Sequence, residues 1–261
     1  MNQTGPRRER HQQLREWFTT ALGRSVEAHE MHRLRDVLPQ LYGTIALQLG
    51  GPGQLDLLDS SPAAKRIVLD LAGDTGDVRV RGMPEQLPIE TKSVHVALLP
   101  HTLDYCDDPH SVLREVARVL VPEGHVIVLG FNPVSLWGLR RLFTGRPRPM
   151  PWCGSFFSLP RVKDWLALLD FEVTHGTMLY YRPPLQRENV MERMRFLDKA
   201  GDRWWPLMAG VYMLVAKKRV LGVTPLPIEW KKRSIAGNVV ARPVARGIII
   251  PFERRLPKQL G

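Results

Sequence analysis

The sequence predicts an α/β fold built on a mainly parallel sheet that helices cover on both faces. Short and nearly continuous apolar runs alternate with amphipathic helical segments through the middle of the chain. Strands that are buried on both faces have this apolar character, and their alternation with helices is typical of βαβ units. Glycines follow the first apolar run and an acid ends the second, so polar chemistry is expected at the carboxyl ends of the strands.

Six segments are predicted as strands from their apolar or alternating patterns, and an extended run from Phe171 towards Tyr181 follows the fifth. The first strand is closed by a glycine-rich turn, which sets its boundary clearly. In chain order the strands are Thr44–Leu49, Arg66–Asp70, Val78–Arg81, Val94–Leu99, His125–Gly130 and Gly210–Val220.

Helices are predicted over residues 1–40, Pro109–Leu120, Pro160–Leu169 and Glu188–Ala200. In the first segment, apolar residues recur at a 3.6-residue period until Pro39 ends the run.

The helix over Pro109–Leu120 has the clearest signals. A proline in the first turn and an aspartate before it, Asp107 or Asp108, are favoured at a helix start. Its polar positions Arg114, Glu115 and Arg118 are predicted to face solvent. A turn is predicted directly after it, at residues 122–124.

Charge divides the 261-residue chain into three parts, because its formal net charge of +11 comes mostly from the two ends. A helical extension is expected over residues 1–40, an α/β domain over 41–220 and a basic, mostly irregular tail over 221–261. Basic ends permit nucleic-acid binding, but no recognition motif supports it. Solubilising tails explain the same charge equally well.

Several classes of protein are excluded by composition. Two cysteines, Cys106 and Cys153, are too few for a disulfide framework or a multi-cysteine zinc site. The polar N-terminus has no apolar signal segment, and the longest apolar run, Leu207–Ala216, is about half the length of a membrane span. We therefore expect a cytoplasmic protein. His29 and His32 lie one turn apart without a third ligand, so no metal site is predicted.

The strand ends suggest a nucleoside ligand. Gly50, Gly51 and Gly53 follow the first strand, and glycine lets the backbone turn sharply and approach a ligand closely. Asp70 ends the second strand, and an acid at this spacing can accept both hydroxyls of a ribose. A nicotinamide dehydrogenase shares these two features, but the sequence contains no Tyr-x-x-x-Lys.

Three further segments carry a resemblance to a known family. They are Gln86–Ile89, Ser93–Tyr105 and Leu113–Gly124, the last reading LREVARVLVPEG. Together they resemble the class I S-adenosyl-L-methionine-dependent methyltransferases of the type 11 group. Gly130–Arg141, reading GFNPVSLWGLRR, is similar to an uncharacterised proteobacterial branch of that group. The resemblance covers about residues 40–220 and implies a Rossmann-like, mainly parallel seven-stranded sheet with an antiparallel last strand.

The resemblance also implies roles for particular residues. The loop at Gly50 would hold the methionine part of S-adenosylmethionine, Asp70 the ribose, and Leu87 would flank the adenine. Pro100 and His101 would line the methyl-transfer face. His101 is the first candidate for a catalytic base, because a histidine just past a strand end can titrate near neutrality, and Asp104 is the second.

The chain departs from the family pattern at three polar positions, which read Gln48, Met83 and His95 where the family has acids. A methyltransferase with an unidentified acceptor is therefore predicted beside two alternatives. One is a binding protein that keeps the fold without catalysis, and the other is an RNA-associated methyltransferase. Trp137, Arg140 and Arg141 fit either the mouth of a site for an anionic substrate or a partly buried amphipathic helix.

Overall fold

The structure is a computed structural model that describes residues 4–51, 56–70, 79–145, 148–186, 193–194, 197–198, 203 and 205–219. These residues all belong to one compact unit, Met1–Leu221. Gly53, most of the helix predicted over Glu188–Ala200 and the predicted basic tail lie outside the described residues.

Seven strands form one sheet in the order β3-β2-β1-β4-β5-β7-β6. The first five strands pair in parallel, and β7 runs antiparallel between β5 and β6. The predicted α/β class, the strand count and the antiparallel last strand are therefore confirmed. The strands are β1 (Ile45–Leu49), β2 (Lys65–Asp70), β3 (Arg79–Arg81), β4 (Val94–Pro100), β5 (Leu120–Phe131), β6 (Phe171–Leu179) and β7 (Val211–Lys218).

The turn predicted at residues 122–124 is wrong, because this stretch belongs to β5. Val94 pairs with Leu120 and Val96 with His125, so β5 has extra residues here that bulge out of the ladder. Glu123 adopts a left-handed conformation at φ 65° to make the bulge. A proline, an acid and a glycine in a row are compatible with a turn and with a bulge, so the local sequence does not separate them.

The helices are α1 (Thr4–Phe18), α2 (Ala21–Val37), α3 (Thr102–Tyr105), α4 (Pro109–Val119), α5 (Leu136–Phe143) and α6 (Leu159–Ala167). Helix α4 begins as predicted, because the Asp108 side chain accepts hydrogen bonds from the backbone N–H groups of His110 and Ser111 at 3.0 and 3.2 Å. Helix α3 is a single turn directly after β4 and has no strong sequence signal.

Helices α1 and α2 pack into the core of the α/β domain. Leu14, Trp17 and Phe18 of α1, and Leu22 and Leu34 of α2, are buried in one of the two apolar clusters that the sheet separates. The other cluster lies under α4 and α6. The first 40 residues thus contribute core side chains, and they reach the carboxyl edge of the sheet.

Candidate functional site

The turn after β1 places two glycines, and so backbone without side chains, at the carboxyl edge of the sheet. Gly50 has φ +86°, a conformation that favours glycine, and its N–H donates to the carbonyl of Leu69 at 2.8 Å. The amide nitrogen of Gln48 donates to the Gly50 carbonyl at 2.8 Å. Among the described residues, the atoms nearest to a Cβ placed on Gly51 lie 3.9 Å away. These residues therefore leave room for a ligand to approach the backbone of the turn.

Asp70 places a buried carboxylate beside that turn. It ends β2, is 1% exposed, and its Oδ2 lies 3.9 Å from where a Gly51 Cβ would be. Arg15 of α1 reaches the same point, because its guanidinium pairs with Asp70 and its Nε donates to the Gly51 carbonyl at 3.2 Å. A guanidinium from the N-terminal helix thus lies across the carboxylate and the glycine turn.

Side chains of α4 hold the loop that contains Leu87 in place. The Leu87 N–H donates to Glu115 Oε2 at 2.9 Å, and Arg118 donates to the carbonyls of Leu87 at 2.9 Å and Ile89 at 3.0 Å. Arg118 also pairs with Glu115 at 2.9 Å, and this hydrogen bond lowers the pKa of the Glu115 carboxyl. The prediction that Glu115 and Arg118 simply face solvent is therefore wrong, because both are half-buried against this loop.

His101 lies just past β4 in a left-handed conformation at φ 54°, and its ring is fully buried. Both ring nitrogens face carboxylates: Nδ1 is 3.0 Å from Asp104 Oδ2, and Nε2 is 2.7 Å from Glu30 Oε1. The ring stacks on Phe131 with centroids 4.1 Å apart. Asp104 Oδ2 also accepts the Phe131 N–H at 3.0 Å. The network joins α2 to the ends of β4 and β5.

The two carboxylates set the charge of this histidine. Burial alone lowers the pKa of His101, but Glu30 and Asp104 together outweigh burial and raise it to about 9. Burial raises the pKa of the Asp104 carboxyl, against hydrogen bonds from His101 and Phe131 that lower it. The raised pKa favours the protonated form of His101, in which both ring nitrogens donate to the two carboxyl groups.

The remaining predicted residues lie along the same edge. Pro100 ends β4 and is buried. The hydroxyl of Thr102 donates to the Leu49 carbonyl at 2.5 Å, which ties the end of β4 to the end of β1. The structure thus brings Gly50, Gly51 and Asp70 into one site, and it places His101 and Asp104 in a buried network beside that site.

Trp137, Arg140 and Arg141 belong to the amphipathic helix α5. Trp137 is buried, and its indole N–H donates to the Arg182 carbonyl at 3.1 Å. The guanidinium of Arg140 stacks over Trp152 at 4.5 Å, and Arg141 donates to the Trp152 carbonyl at 3.1 Å. These contacts support the helix that the sequence offered as one of two interpretations.

Arg15 and Glu30 are not predicted as site residues from the sequence, because residues 1–40 are expected to form an N-terminal helical extension of the α/β domain. One feature of the sequence does indicate that Glu30 is buried. Val26, Glu30 and Leu34 recur every four residues, so Glu30 occupies a position on the apolar face of its helix. A carboxyl group buried at such a position needs a hydrogen-bond or ion-pair partner. The sequence does not identify His101 as that partner.

The strand order is that of a Rossmann-like α/β sheet of the class I methyltransferase type. Residues 42–128 match the family model described as a methyltransferase domain, in agreement with the resemblance found in the sequence.

Two relatives extend the match along the chain. An uncharacterised protein of Escherichia coli, YafS, is 37% identical over 155 residues, which cover 59% of this chain and 61% of that protein. The chain therefore aligns with about three fifths of that relative's length. A ubiquinone/menaquinone biosynthesis C-methyltransferase of Rubrivivax gelatinosus is 26% identical over 242 residues, covering 84% of this chain and 91% of that one.

Among solved structures, a SAM-dependent methyltransferase of Thermotoga maritima superposes with a TM-score of 0.58. The match covers 78% of this chain and 94% of that chain at 17% identity, and it confirms the fold. Within the part of the chain that the structure describes, no helix is long and apolar enough to cross a membrane.

Proposed function

We propose that this chain binds S-adenosyl-L-methionine at the Gly50–Asp70 edge and transfers its methyl group to an acceptor. The observation that carries the proposal is the 3.9 Å separation between the Gly51 Cβ position and the buried carboxylate of Asp70. A glycine turn without side chains, next to a carboxylate at the end of the adjacent strand, suits a ligand that has both a ribose and a charged amino-acid part. The residues present therefore fit the cofactor.

Each part of the edge has a distinct task. Asp70 would accept the ribose hydroxyls, the backbone at Gly50 and Gly51 would lie against the methionine part, and the Leu87 loop would flank the adenine. When bound, the cofactor supplies a methyl group on a sulfonium, which is already a good electrophile. The chain mainly has to orient an acceptor in line and exclude water.

A base is needed only where the acceptor is a poorly acidic nucleophile. The role of base predicted for His101, and then for Asp104, stays a prediction. The contacts favour a different role, because His101 is fully buried and both of its ring nitrogens already face carboxylates. We propose that His101 and Asp104 act as positioning residues that fix the end of β4 beneath the transfer face.

The test is transfer of label from S-adenosyl-[methyl-¹⁴C]methionine to the aqueous and organic-soluble fractions of a cell extract. We expect label to appear in one fraction with the wild-type chain and to be lost with Asp70→Ala. The His101→Gln variant distinguishes the two roles. If His101 is the base, the substitution removes one limb of the pH–rate profile. If His101 is a positioning residue, the substitution lowers the rate and leaves the shape of the profile unchanged.

The second candidate is a binding protein that has lost catalysis, and Gln48 and Arg15 favour it. Gln48 replaces a family acid beside the turn, and Arg15 brings a positive charge to a site whose ligand is itself a cation. Tight cofactor binding with no label in either fraction would favour this candidate.

A further inference from the structure

One side of the molecule exposes large apolar side chains in a group. Phe143 and Leu142 at the end of α5 are 82% and 75% exposed. Single exposed apolar residues are normal, but a contiguous group marks a binding surface. We call the group the apolar edge surface; it consists of Val134, Leu136, Leu139, Leu142, Phe143, Trp205, Leu207 and Met208.

Two segments distant in sequence are held together to build this surface. The amide nitrogen of Asn132 donates to the carbonyls of Val134 at 3.2 Å, Leu207 at 2.8 Å and Ala209 at 2.9 Å. Leu136 and Met208 then line one cavity of about 320 Å³ together with Trp205. The surface is therefore continuous across the start of α5 and the segment before β7.

The topology places the surface at the carboxyl edge of the sheet. Helix α5 follows the end of β5, and the segment at 205–208 precedes the start of β7, which runs antiparallel to β5. Both ends lie at the edge that carries Gly50 and Asp70. The surface and the candidate cofactor site thus share one edge of the sheet.

Basic side chains predominate in the stretch of sequence that contains α5. Between Glu123 and Asp164 the sequence has five arginines and Lys163 but no carboxylate side chain. Arg140 and Arg141 lie on α5 among the exposed leucines. Asp198, on a neighbouring segment, is already paired with Arg182 at 2.6 Å. An apolar face bordered by arginines complements an anionic lipid surface.

We propose that the apolar edge surface docks onto an anionic lipid bilayer, with Leu139 and Phe143 inserted among the acyl chains and the arginines at the headgroups. Docking would turn the carboxyl edge of the sheet towards the lipid. The proposal depends on the surface and not on methyl transfer, so cofactor binding and lipid binding can fail independently.

The experiment is co-sedimentation of the full chain with phosphatidylcholine vesicles, with and without phosphatidylglycerol. The test variant is Leu139→Asp/Phe143→Asp. The matched control is Tyr42→Asp/Leu168→Asp, which changes two side chains of 80% and 79% exposure next to the starts of β1 and β6, at the opposite edge. We expect binding to the anionic vesicles that weakens with salt, falls at least tenfold in the test variant and is unchanged in the control.

Three results would overturn the proposal. The first is no sedimentation of the wild-type chain with anionic vesicles. The second is equal loss of binding in the test and control variants. The third is a wild-type dimer in analytical ultracentrifugation that the test variant converts to monomer without any lipid binding, which would assign the surface to a second copy of the chain. Circular dichroism of both variants establishes that they are folded.

Discussion

Arg15, near the end of the N-terminal helix, forms an ion pair with Asp70, the carboxylate that ends β2. The same guanidinium group donates to the carbonyl of Gly51 in the turn after β1. The N-terminal helix therefore places a cation on the carboxylate that is predicted to bind a ribose. Arg15 and a ribose would therefore compete for this carboxylate.

The first prediction concerns this competition. Replacing Arg15 with Gln removes the ion pair. The ribose hydroxyls can then bind Asp70 without first displacing a guanidinium group. We expect the dissociation constant of S-adenosylmethionine to fall roughly three- to tenfold, or about 1 kcal/mol, in calorimetric titrations. Arg10→Gln is the control, since Arg10 on the same helix pairs with Asp107 at 2.9 Å. A weaker affinity in Arg15→Gln would mean that Arg15 contacts the cofactor.

The second prediction concerns the buried network. Replacing Glu30 with Gln leaves the His101 imidazolium with one carboxylate in a fully buried site, and breaking a buried pair is strongly destabilising. We expect the free energy of unfolding to fall by about 3 kcal/mol in urea titrations at pH 7. Asp36→Asn, at an exposed pair with Arg33 on the same helix, should change it by less than about 0.5 kcal/mol. Equal effects of the two substitutions would contradict the network.

The third prediction is a dependence of stability on pH. The pKa of His101 is raised from 6.5 to about 9 in the folded protein, so folding favours the protonated ring. Its contribution is fully present below pH 6.5 and is lost as the pH rises through 9. We expect the urea midpoint of the wild type to fall over this range, and that of His101→Gln to fall less. Parallel curves for the two proteins would show that another group titrates.

The fourth prediction concerns the Leu87 loop. Arg118→Ala removes the donors to the carbonyls of Leu87 and Ile89, so the loop loses its fixed position. We expect stability to fall by about 2 kcal/mol and the cofactor to bind several-fold more weakly. Arg114→Ala, at an exposed position on the same helix, is the control and should leave both quantities unchanged. If Arg118→Ala has no effect on affinity, the Leu87 loop does not contribute to the cofactor site.

Much of the sheet could be predicted because β1, β2, β4 and β5 contain apolar runs, and because a glycine turn closes β1 and an acid ends β2. The count of seven strands and the antiparallel last strand are implied by the resemblance, whereas the strand order is known from the structure alone, since parallel pairing leaves no local signal that fixes which strands are neighbours. The bulge in β5 was missed because the same residues suit a turn. Helix α3 was missed because a single turn is too short to show a period.

The candidate site was predicted in part. Gly50 and Asp70 were found because each closes a strand, and strand ends meet at one edge of a parallel sheet. Arg15 and Glu30 were not, because their partners are 55 and 71 positions away in the chain and only the packing of α1 and α2 brings them together. The hydrogen bonds of Glu115 and Arg118 to the Leu87 loop were likewise not predicted, because they join α4 to a loop from an earlier part of the chain.

The measurement that tests the central claim most directly is calorimetric titration of S-adenosylmethionine and S-adenosylhomocysteine into the wild type, Asp70→Ala and Asp107→Ala. Asp107→Ala removes an ion pair of the same N-terminal helix without changing the end of β2. We predict saturable micromolar binding of both ligands to the wild type and to Asp107→Ala, weakened at least tenfold by Asp70→Ala. The absence of binding at millimolar ligand, or equal binding to all three proteins, would contradict a cofactor site at the Gly50–Asp70 edge.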